Sequence, residues 1–137
     1  MDIQLDTLRE SFRRLIPRSD ALAQRFYDTL FQRYPATQAL FEGVCFDDQK
    51  RKLVRALALV VRHLEHPDFL RAYLQGLGAI HVAYGVEPAH YPLVAECLLS
   101  ALAATAGPGW SADEEAAWKG ALALIAEAML KGAERLG

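Results

Sequence analysis

Few residues in this chain carry chemistry. There are four histidines, His63, His66, His81 and His90, and two cysteines, Cys45 and Cys97. The sequence has no Cys-x-x-Cys pair, no His-Glu-x-x-His, no glycine-rich phosphate loop and no serine elbow, so the commonest zinc, nucleotide and serine-hydrolase chemistries have no footing. His63 and His66 lie three apart just before Pro67. As a metal pair they lack a third ligand, and a favourable interaction with a helix C-terminus accounts for them. His81 follows Leu74 and Leu77 on one helical face, where an imidazole without partners is costly. It reads either as a satisfied core histidine or as a metal ligand with one nitrogen on a backbone carbonyl. Tyr27 and Gln49 are also polar at inward positions. Tyr27 sits beside Phe26 and three before Leu30, and Gln49 sits four before Leu53 and eight before Leu57. Left unsatisfied, each group costs about 1–3 kcal/mol. That cost disappears if the three surround a buried cofactor with a polar ligand.

The elements that must position these residues are helical. Leu5, Leu8, Phe12 and Leu15 form one stripe, ended by Pro17. Ser19 or Asp20 suits the cap of a second helix striped by Leu22, Phe26, Leu30 and Tyr34. Pro35 suits the first turn of a short third helix ending near Phe41, and Gly43 marks a corner. Asp47 or Asp48 suits the cap of a long helix with Leu53, Leu57, Val60 and Leu64 inward. Pro67 opens the helix that carries His81, and Gly85 closes it. Pro88 begins a helix running to about Ala104, and Gly107-Pro108-Gly109 breaks it. Ser111 to Glu114 is a capping box for a last helix striped by Trp118, Leu122, Ile125 and Met129.

The chain has 137 residues, is 53% hydrophobic and 23% charged, and carries a net charge of −2. These values fit one folded domain and exclude a disordered tail or a disulfide mini-protein. They provide no basic field for nucleic acid. The amino terminus has no apolar leader core, and the apolar stretch from Leu53 to Val61 is far shorter than a bilayer requires. A soluble, cytoplasmic protein with no membrane partner is the expectation. The pattern fixes no oligomeric state.

The ordered set Phe26-Tyr27-Asp28, Tyr34-Pro35, Leu40-Phe41, Gln49 with Leu53, His81, His90-Tyr91-Pro92-Leu93-Val94 and Trp118 resembles one family. His81 stands 32 residues after Gln49, and Tyr91 ten after His81. The chain resembles the globins, in particular single-domain bacterial globins and the haem domain of flavohaemoglobins. The resemblance implies an all-α globin fold over residues 1–137, with seven to eight helices around a buried, non-covalent haem b. It implies that His81 is the iron ligand and that Phe41 stacks on the haem. Leu53, Leu77, Val86, Val94 and Ile125 would line the pocket, and Lys52 would either reach a propionate or stay solvated. Tyr27 and Gln49 would face the bound gas, where their donors stabilise the charge it acquires. That implies tight oxygen binding with slow release, and a site open to nitric oxide, carbon monoxide and cyanide. Tyr91 matches a tyrosine that orients the histidine together with a glutamate. Counted from Trp118, that glutamate falls on Ala133, with Glu134 one residue later, and one residue turns a helix by about 100°. The carboxylate is therefore either brought round by a small helix shift or missing.

Two functions follow from the resemblance. One is oxygen storage or delivery. The alternative is nitric oxide dioxygenation to nitrate, which leaves ferric iron and therefore needs a reductase. With Gly137 as the last residue, a separate reductase is expected. A cofactor-free helical interaction domain would leave the three inward polar residues unexplained, and a sensor would need an output domain.

Overall fold

Proline and glycine punctuation sets the elements. The computed structural model describes residues 3–134; Met1 and Asp2 of the polar amino terminus and residues 135–137 of the expected 1–137 domain lie outside the described residues. Six α-helices form: α1 (Ile3–Leu15), α2 (Ser19–Arg33), α3 (Phe46–Arg62), α4 (Pro67–Ala83), α5 (His90–Ala106) and α6 (Ala112–Glu134). No strand forms among the described residues. The count is below the expected seven to eight because the segment Pro35–Phe41 winds as a 3-10 helix. It is short, and Thr37 ties its start to the Tyr34 carbonyl by both backbone N–H (2.9 Å) and hydroxyl (2.7 Å).

Some helix starts differ from expectation. Cys45 precedes α3 and Arg18 precedes α2, and neither start has a side-chain cap. Asp47 and Asp48 instead occupy the first turn of α3, where a negative charge favours the helix dipole. Pro88 lies in the turn before α5, its carbonyl accepting the Tyr91 N–H at 3.2 Å. The Ser111–Glu114 capping box forms reciprocally, with both bonds at 3.1 Å. A longer apolar run than Leu53–Val61 exists in the fold. His90–Gly109 is long and apolar enough by composition to cross a membrane. In the fold its Cys97, Leu98, Ala101, Leu102 and Thr105 are buried.

The main core is built from α1, α2, α3, α5 and α6, with Trp118, Leu15, Leu22, Leu30 and Leu102 almost wholly buried. Each such leucine contributes about 1.5–3 kcal/mol. A second, smaller cluster joins Val60, Leu70, Leu74 and Met129. The helix carrying His81, α4, rests chiefly on α6. The two backbones touch at reciprocal glycines. A Cβ on Gly78 would lie 1.9 Å from the Met129 carbonyl oxygen, and one on Gly132 would lie 1.9 Å from that of Gln75. With α4 seated on α6, the main core and the α4 cluster remain distinct, with Leu64 and Ile125 packing against both.

Candidate functional site

His81 sits in the last turn of α4, where the chain is pinned. The Val86 N–H bonds the His81 carbonyl at 3.0 Å, the Gly85 N–H bonds that of Val82 at 3.0 Å, and Gly85 takes φ 89°. This is a Schellman closure, and it fixes the backbone under the imidazole. The ring is partly exposed, and its Nδ1 lies 2.7 Å from the Leu77 carbonyl. A carbonyl only accepts, so Nδ1 donates to it, and Nε2 is the ring nitrogen left without a partner among the described residues. His63 makes the same bond to Leu59 at 3.0 Å, but its ring packs on Phe69 at 4.3 Å. No group of three or more metal-ligating side chains occurs among the described residues, so His63 and His66 gain no third ligand.

Tyr27 and Gln49 are brought together. The Gln49 Nε2 donates to the Tyr27 Oη at 3.1 Å. Tyr27 is 4% exposed, and its hydroxyl proton remains free to donate elsewhere. Burial pushes the phenol above its ordinary value, and the Gln49 bond pulls the other way. The phenol therefore stays protonated. An amide donating to its oxygen polarises the O–H and makes it a stronger donor. Phe26, Phe31, Phe41 and Phe46 surround the Tyr27 ring at centroid distances of 4.8, 6.0, 5.5 and 5.4 Å.

The remaining candidates divide. Phe41, Leu53, Val94 and Ile125 lie along the main core, and Leu77, Tyr91 and Ile125 along the α4 cluster; all are only partly buried. Val86 is likewise partly exposed, and Lys52 is exposed on α3. Burial raises the Tyr91 phenol. Glu134 is exposed at the end of α6, and no hydrogen bond joins it or Tyr91 to His81 among the described residues. Cys97 is fully buried and Cys45 exposed, and both are free thiols.

Sequence reasoning passed over Phe46, Gly78 and Gly132. The glycines were detectable, because a glycine inside a helix costs about 0.5–1 kcal/mol relative to alanine and is retained where backbones must touch. Phe46 gave no signal, since an aromatic at a helix start is ordinary.

Partly buried apolar side chains, a histidine whose Nδ1 is held by a carbonyl and a paired phenol and amide are of the types that could hold a flat apolar group carrying a metal. Such side chains on an all-helical frame are those a haem-binding helical protein would use. The globin family profile matches residues 24–129. The chain is 32% identical to an uncharacterised globin-like protein of Aquifex aeolicus, over 80% of this chain and 76% of that one. It is 31% identical to a flavohemoprotein of a Burkholderia species, over 81% of this chain but only 29% of the relative. Among solved structures it superposes with a TM-score of 0.88 and 31% identity on an engineered carbene transferase derived from a proposed nitric oxide dioxygenase of Rhodothermus marinus, covering 99% of this chain and 94% of that one. The chain belongs to the globin family, and membership implies a haem cofactor.

Proposed function

We propose that His81 would hold a non-covalent haem b and that Tyr27, supported by Gln49, would donate to oxygen or another diatomic gas bound there. When bound, haem supplies an iron that takes up diatomic ligands. Everything else is done by side chains of this protein. Leu77 holds the imidazole in the tautomer that presents Nε2. Phe41, Leu53, Leu77, Val86, Val94 and Ile125 supply apolar walls that exclude water, and Lys52 is free to reach a propionate. Tyr27 donates its hydroxyl proton to the ligand, and Gln49 supports the phenol oxygen. Neither Tyr27 nor Gln49 binds iron as strongly as a histidine would, so the site stays open to oxygen, nitric oxide, carbon monoxide and cyanide. The observation that carries this reading is the 3.1 Å Gln49–Tyr27 bond, which leaves the tyrosine proton unspent. The absence of a haem-attachment Cys-x-x-Cys-His sequence supports non-covalent binding, and two free thiols suit a reducing, cytoplasmic setting.

Storage or delivery is the favoured role. The Nδ1 partner of His81 is a neutral carbonyl, whereas a carboxylate would raise the basicity of the ligand and favour oxygen activation. Nitric oxide dioxygenation is the second reading, favoured by the likeness to the Rhodothermus protein and to flavohemoproteins. It would require a separate reductase to sustain turnover. Two measurements test these readings. Hemin titration should give a 1:1 complex, and Tyr27→Phe should raise the oxygen off-rate about tenfold, the equivalent of 1.4 kcal/mol. An unchanged off-rate removes Tyr27 from the site. Air-equilibrated ferrous protein mixed with excess nitric oxide should form about one nitrate per haem. Repeated turnover with a reductase extract would favour the enzyme instead.

A further inference from the structure

We propose that Phe46 is a positioning residue for the Tyr27 hydroxyl: it fixes the tilt of the Tyr27 ring and shuts out water that would enter from the cleft between α2 and the start of α3. This rests on the reading that Tyr27 donates to the bound gas. Of the four phenylalanines around Tyr27, Phe26 and Phe31 share its helix and move with it, and Phe41 comes from the 3-10 segment. Phe46 alone sits on α3, the helix that carries Gln49. Residues three apart on a helix lie on one face, so a single turn of α3 delivers the Phe46 ring to the Tyr27 ring and the Gln49 amide to the Tyr27 oxygen. The Phe46 ring meets Tyr27 nearly edge-on, at 5.4 Å and 75°, and meets Phe31 at 5.7 Å and 85°. Both are favourable aromatic geometries.

The surroundings show what Phe46 closes. A shallow cleft of about 220 Å³ lies against α2 and the start of α3, lined by Gln24, Tyr27, Asp28, Phe31, Phe46 and Lys50. Tyr27 borders this cleft yet is only 4% exposed, whereas Phe46 is 37% exposed. One face of Phe46 thus meets water so that Tyr27 does not. Lys50, one residue beyond Gln49, is held at the cleft by the Gln24 Oε1 at 3.1 Å and Asp20 at 3.5 Å, which clamps the first turn of α3 to α2. Without the ring, water would reach the phenol from outside and compete for its proton, and Tyr27 could rotate away from Gln49.

The experiment uses the haem-loaded full chain and follows the infrared C–O stretch of its carbon monoxide complex, the oxygen off-rate and the titration of the Tyr27 phenol by tyrosinate absorbance, taken as the difference from Tyr27→Phe. Phe46→Ala should move part of the C–O band to the Tyr27→Phe position, raise the off-rate about threefold to tenfold and lower the phenol titration toward the ordinary tyrosine range. Phe46→Leu keeps the fold but not the flat ring and should give a smaller change of the same sign, while Phe46→Tyr should restore the wild-type band. If Phe46→Ala and Phe46→Leu lower the thermal midpoint but leave band, off-rate and titration at wild-type values, Phe46 only packs and the proposal is overturned. If Tyr27→Phe itself leaves the band unmoved, the donor role of Tyr27 fails and the proposal falls with it.

Discussion

Two polar clusters lie inside this fold, and they are completed differently. At the α1–α6 contact, the Trp118 indole donates to the Ser11 hydroxyl at 3.0 Å, and that hydroxyl donates to Glu114 at 2.6 Å. Arg14 reaches the same carboxylate oxygen at 2.9 Å, while the Ser111 N–H takes the other at 3.1 Å. The Trp118 indole, the Ser11 hydroxyl and both Glu114 carboxylate oxygens thus all have partners within the protein. Elsewhere, the Tyr27 oxygen is supported by Gln49 and the His81 Nδ1 by Leu77. There the phenol proton and the His81 Nε2 have no partner among the described residues. A polar group buried at a cost and fully answered by neighbours holds structure together. A polar group half answered, with its free atom fixed in direction, is available for a ligand.

The largest contrast comes from removing one residue on the half-answered side. His81→Ala should abolish retention of hemin, so that the intense haem band is lost on desalting. The unfolding midpoint of the hemin-free chain should barely move, because the side chain is partly exposed and bonds only within its own turn. A large drop in the midpoint of hemin-free protein would place His81 with the structural cluster instead.

Next in size is the seat of α4. Gly78→Ala drives a Cβ against the Met129 backbone, which has no rotamer to yield, and should cost about 3 kcal/mol by denaturant titration. Gly76→Ala on the same helix meets open space and should stabilise by about 0.4–1 kcal/mol. The opposite signs two residues apart would show that α4 is held by backbone contact with α6. Equal effects would show that helix propensity alone governs both.

On the structural side, Glu114→Gln should cost about 2 kcal/mol at neutral pH, since it weakens charge-assisted bonds to a buried group. Desolvation pushes the Glu114 carboxyl up, but the bonds from Ser11, Ser111 and Arg14 outweigh it and hold it below the usual carboxylate value. A depressed folded value contributes stability above the unfolded value and loses it as pH falls through the folded one. The gap between wild type and Glu114→Gln should therefore narrow as pH falls through and below the usual carboxylate range. A gap that stays constant over that range would mean the charge is not what stabilises the contact.

The sequence made much of this legible, and the reasons are physical. Period, proline and the Ser111–Glu114 box placed the helices, because each acts over a few residues. Tyr27, Gln49 and His81 stood out because a polar residue on an apolar stripe demands an explanation. The 3-10 winding of Pro35–Phe41 was hidden, since the Thr37 N–H and hydroxyl that tie its start to the Tyr34 carbonyl leave no mark in the apolar pattern. The Ser11–Glu114–Trp118 relay was hidden too, because Ser11 stands more than a hundred residues before the other two. Glu134 was placed by counting along the chain, and counting cannot give the rotation of α6, which depends on how closely two glycines let it approach α4.

The smallest effect sharpens the comparison most. Gln49→Leu removes the amide behind the phenol but leaves the Tyr27 proton in place, so the oxygen off-rate should rise only about twofold to fivefold, less than for Tyr27→Phe. In a Tyr27→Phe background the same change should do almost nothing, because the amide then has no phenol oxygen to support. The coupling between the two substitutions, read from the four off-rates, should equal nearly the whole effect of Gln49→Leu. Independent, additive effects would mean that Gln49 meets the gas directly and that the bond between the two side chains carries no function. A fully answered pair such as Ser11 and Trp118 should show its coupling in unfolding free energy and none in the off-rate. The location of the coupling, in stability or in ligand release, separates a contact that builds the fold from one that serves the site.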